Sequence, residues 1–215
     1  MTGIPSIQAA DAYVAYVRKV TSGDPGRRAA LRRSLGRPVT DITARGAHAV
    51  VAAWLPEAHE VPGAEPYAAV ESAYYTVAAL VAAHPASQDQ AESPSPEAET
   101  AAREGVREQV SLGRTLGLAA ADGVVNPATA EARLHLLCRQ DVAGLHRHLP
   151  GLFRLLHAKN VQVDLARLLI DLCRWGRWRD QVAKEWLQDF YRAGDRARND
   201  DRKAAAADGR EGEDE

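Results

Sequence analysis

The feature that most restricts this chain is the return of apolar side chains at steps of three and four, segment after segment, between Pro, Gly and capping residues. That spacing marks one face of an α-helix, and the period-two alternation of a half-buried strand is nowhere sustained. Ile7, Ala10, Val14 and Val17 form the first stripe, over residues 7–20. Asp24 and Pro25 make an N-cap and first-turn pair that opens a second helix, carried to Leu35 and closed by Gly36 and Pro38. A third helix starts after Thr40 or Asp41, shows Ala47, Val50, Val51 and Trp54 on one face, and ends at Pro56. The fourth, from Tyr67 to His84, repeats Val70, Ala73, Tyr74, Val77 and Val81 and stops at Pro85.

Residues 85–99, PASQDQAESPSPEAE, lack aromatics and periodicity and read as a mobile acidic loop. Helix five spans 100–121 with Val106, Val110 and Leu116 inward, and Asn126 caps helix six, 127–139, at Pro127. Helix seven, 141–157, carries Val142, Leu145, Leu149, Leu152 and Leu156, and Pro150 with Gly151 is expected to kink it. Asp164 caps helix eight, with Leu165, Leu168, Leu169 and Leu172 inward, and Gly176 divides it from helix nine, with Val182, Trp186 and Phe190 inward. The reading is all-α, about nine helices, with the last four amphipathic stripes packed as a four-helix bundle. The chain is long enough for one core or two small lobes. The division expected is an N-terminal helical lobe over 1–120, a C-terminal bundle over 121–192, and a charged tail over 193–215 that is a frayed helix or disordered.

No run of about 18 apolar residues is present, and the N-terminal MTGIPSIQAADAYV lacks the basic head and apolar core of a secretory signal, so a cytoplasmic protein without membrane contact is expected. Cys138 and Cys173 fall inside apolar helical patterns and read as unbridged core residues. Walker loop, GxSxG elbow, HExxH and CxxC motifs are all missing, which argues against an enzyme. His135 and Cys138, joined by His146, His148 or Cys173, are the best metal candidates, but their spacing gives no closed ligand pairs and no cofactor is expected. Asp164 and Asp171 read as a cap and a solvated ion-pair partner of Arg167 and Arg174, not as an acid pair.

The net charge of −2 hides a segregation along the chain. Residues 1–60 hold 8 Lys/Arg against 5 Asp/Glu and residues 111–192 hold 12 against 8, together +7, while the remainder carries −9. Of the 27 basic residues 23 are Arg, whose planar fork suits phosphate. Several align. Arg28 and Arg32, flanked by Arg27 and Arg33, lie off the Leu31 and Leu35 side of helix two; Arg147 and Arg154 lie opposite the leucines of helix seven, with Lys159 beyond; Arg167 and Arg174 lie off the stripe of helix eight, with Arg177 and Arg179 past the turn. Three such rows can make one groove that tracks a phosphate backbone without reading bases.

The succession SLGRTLG, AEARLHLLCRQD, LHRHLPGLFRLLHA, VDLARLLIDLCRW and KEWLQDFY, preceded by ALRRSLGRP and AYYTVAALVAAHP, resembles the CasB family, the small subunit of the type I-E CRISPR complex Cascade, over residues 7–192. The resemblance implies a two-lobed, non-catalytic helical protein, present in two copies, that contacts the backbone and large subunits of the crRNA-bearing assembly. It further implies that basic grooves hold the target and displaced non-target strands and so stabilise the R-loop, an exchange balanced closely enough for backbone contacts to tip it. The positions it carries over are Arg27, Arg28, Arg32, Arg33, Arg114, Arg133, Arg139, Arg147, Arg154, Arg167, Arg174 and Arg177. The competing reading from the residues alone is a helical protein–protein adaptor whose arginines meet acidic surfaces; a His/Cys metalloenzyme is the weakest.

Overall fold

The computed structural model of the protein describes residues 3–61, 63–84 and 109–211, with 197–211 as backbone. Helix α1 (Ile7–Gly23) is capped by Ser6, whose hydroxyl accepts the Ala9 N–H, and buries Ala10, Tyr13, Val14 and Val17. Asp24 caps α2 (Pro25–Ser34) through the Arg27 N–H at 3.0 Å, as the Asp-Pro pair predicts. The single helix expected from Thr40 to Pro56 is instead a 3₁₀ turn (Ile42–Ala44), helix α3 (Arg45–Val51) and a second 3₁₀ turn (Ala52–Trp54). The Asp41 carboxylate takes both the N–H and the hydroxyl of Thr43, at 2.8 and 2.7 Å, and that local bonding tightens the start of the segment.

Helix α4 (Ala64–Ala83) is the central element: every residue from Ala73 to Ala82 is buried. Its Ala- and Val-rich surface lets α1, α2, α7 and the last helical stretch approach from different sides. The Tyr13 hydroxyl reaches across to donate to the Tyr74 carbonyl at 2.8 Å.

The C-terminal half begins at Ser111, which caps α5 (Leu112–Ala121) and donates to Asp189 at 2.6 Å. The start expected at residue 100 and the inward Val106 lie outside the described residues, as does the loop at 85–99; Val110 stands before the helix. Next come α6 (Pro127–Cys138), capped by Asn126, and α7 (Val142–Ala158), capped by Asp141. Pro150 sits inside α7, whose helix continues through it, and the left-handed turn at Gly36 (φ 72°) rests against the proline ring. The final stretch, Leu165–Glu211, is broken at Trp178 (φ −128°, ψ 37°), leaving arms α8 (165–177) and α9 (179–211).

The arms fold back on each other as a hairpin. Fifteen residues of straight helix span about 22 Å, yet the Trp186 indole donates to Asp171 at 2.7 Å and the Trp175 and Trp186 rings lie 5.1 Å apart. Helix α5 docks on α9 so closely that a Cβ on Gly113 would come within 1.9 Å of the Trp186 carbonyl oxygen, and one on Gly117 within 2.5 Å of that of Phe190. Backbone helicity runs through the 193–211 part of the tail. Buried side chains from α1 to α9 join in one cluster, so the N-terminal helices and the C-terminal bundle are sealed against each other. Both cysteines are free. Among the described residues no strand forms, and no helix is long and apolar enough to cross a membrane.

Candidate nucleic-acid interface

The ends of α1 and α4 and the faces of α2 and α7 enclose a groove of about 770 Å³. Its rim carries Arg18, Lys19 and Arg28, and its base is Leu80, Val81, Phe153 and Leu156, with His84 and His157 between the two. Arg28 is aimed by its own helix and by α4: its Nε donates to the Ala82 carbonyl at 3.3 Å, in the last turn of α4. The last carbonyls of a helix have no partner within it, and a cation there also faces the negative end of the helix dipole. His84, the C-cap of α4, has its pKa held below the ordinary value, first by burial and then by the nearby charges of His157, Arg154 and Arg32. Of the α2 row Arg28 lines the groove, and Arg32 and Arg154 lie near enough to His84 to bear on its pKa. Arg32 and Arg154 are exposed and make no ion pair with a described carboxylate.

The remaining candidate positions divide. Arg27 is paired with Asp24 at 3.2 Å, and Arg33, Arg133, Arg139, Arg147 and Lys159 are exposed. Arg147, one end of the α7 row, lines a separate cavity of about 560 Å³ with Arg37, Glu65, Glu71 and Asp141. Arg139 lies with Lys184, Arg192, Asp180 and Asp195 along a mixed-charge groove between α6 and α9. Arg114 is half-buried in the first turn of α5, and Arg177 lies over the Trp178 ring at 5.1 Å, at the hairpin turn.

Arg167 and Arg174 do not form an outward basic row. They close around Asp171, which is 0 % exposed and accepts from Arg167 Nε at 2.9 Å as well as from Trp186. Arg174 makes a two-pronged pair with Glu185 across the hairpin, at 2.7 and 2.8 Å. The solvated ion pair expected at Asp171 is thus a buried one, because the fold-back places α9 over it. Burial pushes the Asp171 pKa up, against the pull of Arg167, Trp186 and Arg174, while the Arg174 hydrogen bond holds Glu185 below the ordinary carboxylate range. The same bond raises Arg174, so its charge is answered chiefly by Glu185.

The metal candidates are dispersed. His135 bonds Tyr191 and lies 3.8 Å from Glu131, Cys138 points to the Ala183 carbonyl, and Cys173 and His146 are buried apart. Among the described residues no three His, Cys, Asp or Glu side chains gather as a metal site.

The family profile described as CRISPR-associated protein Cse2 matches residues 27–191. The chain belongs to the Cse2 family. Cse2 is CasB, the small subunit of type I-E Cascade, so the chain is of a kind that forms part of a CRISPR surveillance complex. Among solved structures it is similar to a chain of a "CRISPR RNA-guided surveillance complex", with 36 % identity, a TM-score of 0.71, and coverage of 90 % of this chain and 98 % of that one. A second, a chain of a "CRISPR RNA-guided surveillance complex, pre-nicking", gives 37 % identity and a TM-score of 0.70 at the same coverage. No curated protein matches. Sequence reasoning about this Cse2 chain missed Arg18, Lys19, His84 and His157. The available signal was that Arg18 and Lys19 follow Val17 at the end of α1, off its apolar stripe, and that His84 immediately precedes a helix-ending proline.

Proposed function

We propose that the chain is a non-catalytic Cascade subunit whose groove between α1, α2, α4 and α7 binds nucleic-acid backbone without sequence preference and so stabilises the R-loop. The observation that carries this reading is the convergence of Arg18, Lys19 and Arg28 on one groove from two separate helices, with Arg32 and Arg154 near its His84. Cations gathered this way attract phosphate and release its counterions, while the groove presents no recognition helix to read base edges. In the assembly the groove would hold a target or displaced strand once the guide has paired, and the other exposed arginines would meet the backbone and large subunits or a second copy of the chain. The mixed-charge groove between α6 and α9, beside exposed Tyr191, fits a protein partner better than a strand.

Titrating unrelated single strands of equal length against the full chain across a salt series tests the reading. Affinity should fall steeply with salt and be indifferent to sequence, with a log–log slope of about −0.7 per phosphate contacted. Absence of binding at low salt, or a slope near zero, removes it and leaves the arginines to protein contacts.

A further inference from the structure

The groove is more than a charged track. Beside its cations the His84 and His157 rings lie 4.9 Å apart, tilted by 49°, and Phe153 lies 6.4 Å from His84. A phosphate backbone needs none of this: anions are held by donors and cations, and apolar or aromatic lining does nothing for them. A base needs all of it, because its flat, weakly hydrated faces are favourable only against another ring or an apolar wall. The opening of about 770 Å³ lies within the range of small-molecule sites, so there is room for one nucleotide extruded from its strand. A duplex cannot use such a pocket without unpairing, since both faces of each base are already covered by neighbours.

We propose that the groove is a nucleotide pocket for single strands, with an unpaired base resting against the His84–His157 ring pair and the flanking phosphates on Arg18, Lys19 and Arg28. The proposal rests on the nucleic-acid reading above and adds to it a preference for unpaired strands that comes from the base, not the backbone. His84 suits the role because its burial, and then its neighbours His157, Arg154 and Arg32, favour the neutral ring. A neutral imidazole offers a stacking face without spending the pocket on another cation. The exposed ring of His157 is the one a base meets first.

The test compares three probes of equal length at one low salt concentration: an oligothymidylate, the same strand with every base removed, and a duplex. Each is titrated into the wild-type chain, His157→Ala, and the double variant His84→Ala/His157→Ala. Stacking of one base predicts that the wild type prefers the oligothymidylate over the abasic strand by about fivefold to 150-fold. The alanine variants should lose that preference while keeping their affinity for the abasic strand, and His157→Phe should restore it. Because His157 is exposed, the single variant carries the test should the double variant fail to fold. Equal affinity of the wild type for the based and abasic strands overturns the pocket and leaves the backbone groove standing. So does a loss of affinity for both strands alike in His157→Ala. Failure of every probe to bind overturns both.

Discussion

Arginine does opposite work in two regions of this molecule. In the α8–α9 hairpin Arg167 and Arg174 have side chains only 22 % and 18 % exposed, turned inward onto an aspartate with no exposure at all. Beside the groove between α2 and α7, near His84, Arg32 and Arg154 are exposed and lack a carboxylate partner among the described residues. Along the sequence all four look alike, each with another arginine four or seven residues away and off the leucine stripe. What separates them is whether another helix arrives with acid. The hairpin turn at Trp178 brings Glu185 and Trp186 back over α8, whereas the groove is bounded by the apolar end of α4 and the histidines. A buried charge surrounded by donors belongs to folding, and clustered cations left unanswered belong to a partner.

The sharpest way to break this contrast is at its sealed end. Asp171→Ala removes the acceptor shared by Arg167 and Trp186 and leaves two arginines near an uncompensated interior, so a loss of about 3–5 kcal/mol is expected. Denaturant unfolding followed by Trp fluorescence measures it. A loss below about 1 kcal/mol would mean the network is solvated, like an ordinary surface ion pair. Binding by the folded fraction should be unchanged.

The two depressed histidines extend the comparison to pH. His146, buried between α4 and α7, bonds the Thr76 hydroxyl through Nδ1 at 2.8 Å, has no partner at Nε2, and is pushed down to about 4 by burial. The unfolded chain takes up this proton below its ordinary value near 6.5 and the folded chain only near 4. Stability is therefore lost as pH falls through 6.5 and levels off below about 4. The full loss is about 3 kcal/mol, from about 1.4 kcal/mol for each pH unit of displacement. Unfolding midpoints from pH 7 to 4.5 should show it, and His146→Leu should flatten the profile. His84, half-buried in the groove, contributes in the same direction but less.

Trp186→Phe separates packing from hydrogen bonding at the same cluster. It keeps a ring against Trp175 but removes the indole N–H that Asp171 accepts, so about 1–3 kcal/mol is expected on top of the volume change. Stability within error of wild type would assign the network to the arginines alone.

Much of this was readable from the chain. Nearly every residue assigned inward in α1, α4, α7, α8 and α9 is buried, and the caps at Asp24, Asn126 and Asp164 bond the N–H groups expected of them. Local periodicity and capping are properties of a few neighbouring residues, so a sequence displays them. Long-range apposition is not. Gly176 was expected to divide α8 from α9, yet the break falls two residues later at Trp178, and nothing in the sequence says that the arms return at an angle that seals Asp171. Likewise Gly113 and Gly117 sit four apart in SLGRTLG, yet the close approach they permit is defined by the α9 backbone on the other side. The candidate site suffered most, since two of its rim cations come from α1, more than a hundred residues from the helix that faces them.

The smallest effect on folding, and the one that sharpens the open end of the comparison, is charge reversal at the rim. Lys19 is exposed toward the C-terminal end of α1 and makes no ion pair with a described carboxylate, so the stability of Lys19→Glu should stay within about 0.5 kcal/mol of wild type. Its effect belongs to binding. Exchanging one phosphate contact for a like-charge repulsion should weaken single-strand affinity about tenfold at low salt, and the salt slope should flatten by about 0.7 as one fewer counterion is released. Arg174→Ala provides the opposite pattern, with a lowered unfolding midpoint and an unchanged slope, because its charge is answered inside the hairpin by Glu185. If Arg174→Ala flattens the slope as Lys19→Glu does, the hairpin arginines reach the strand after all, and sealed and open arginine are no longer two classes.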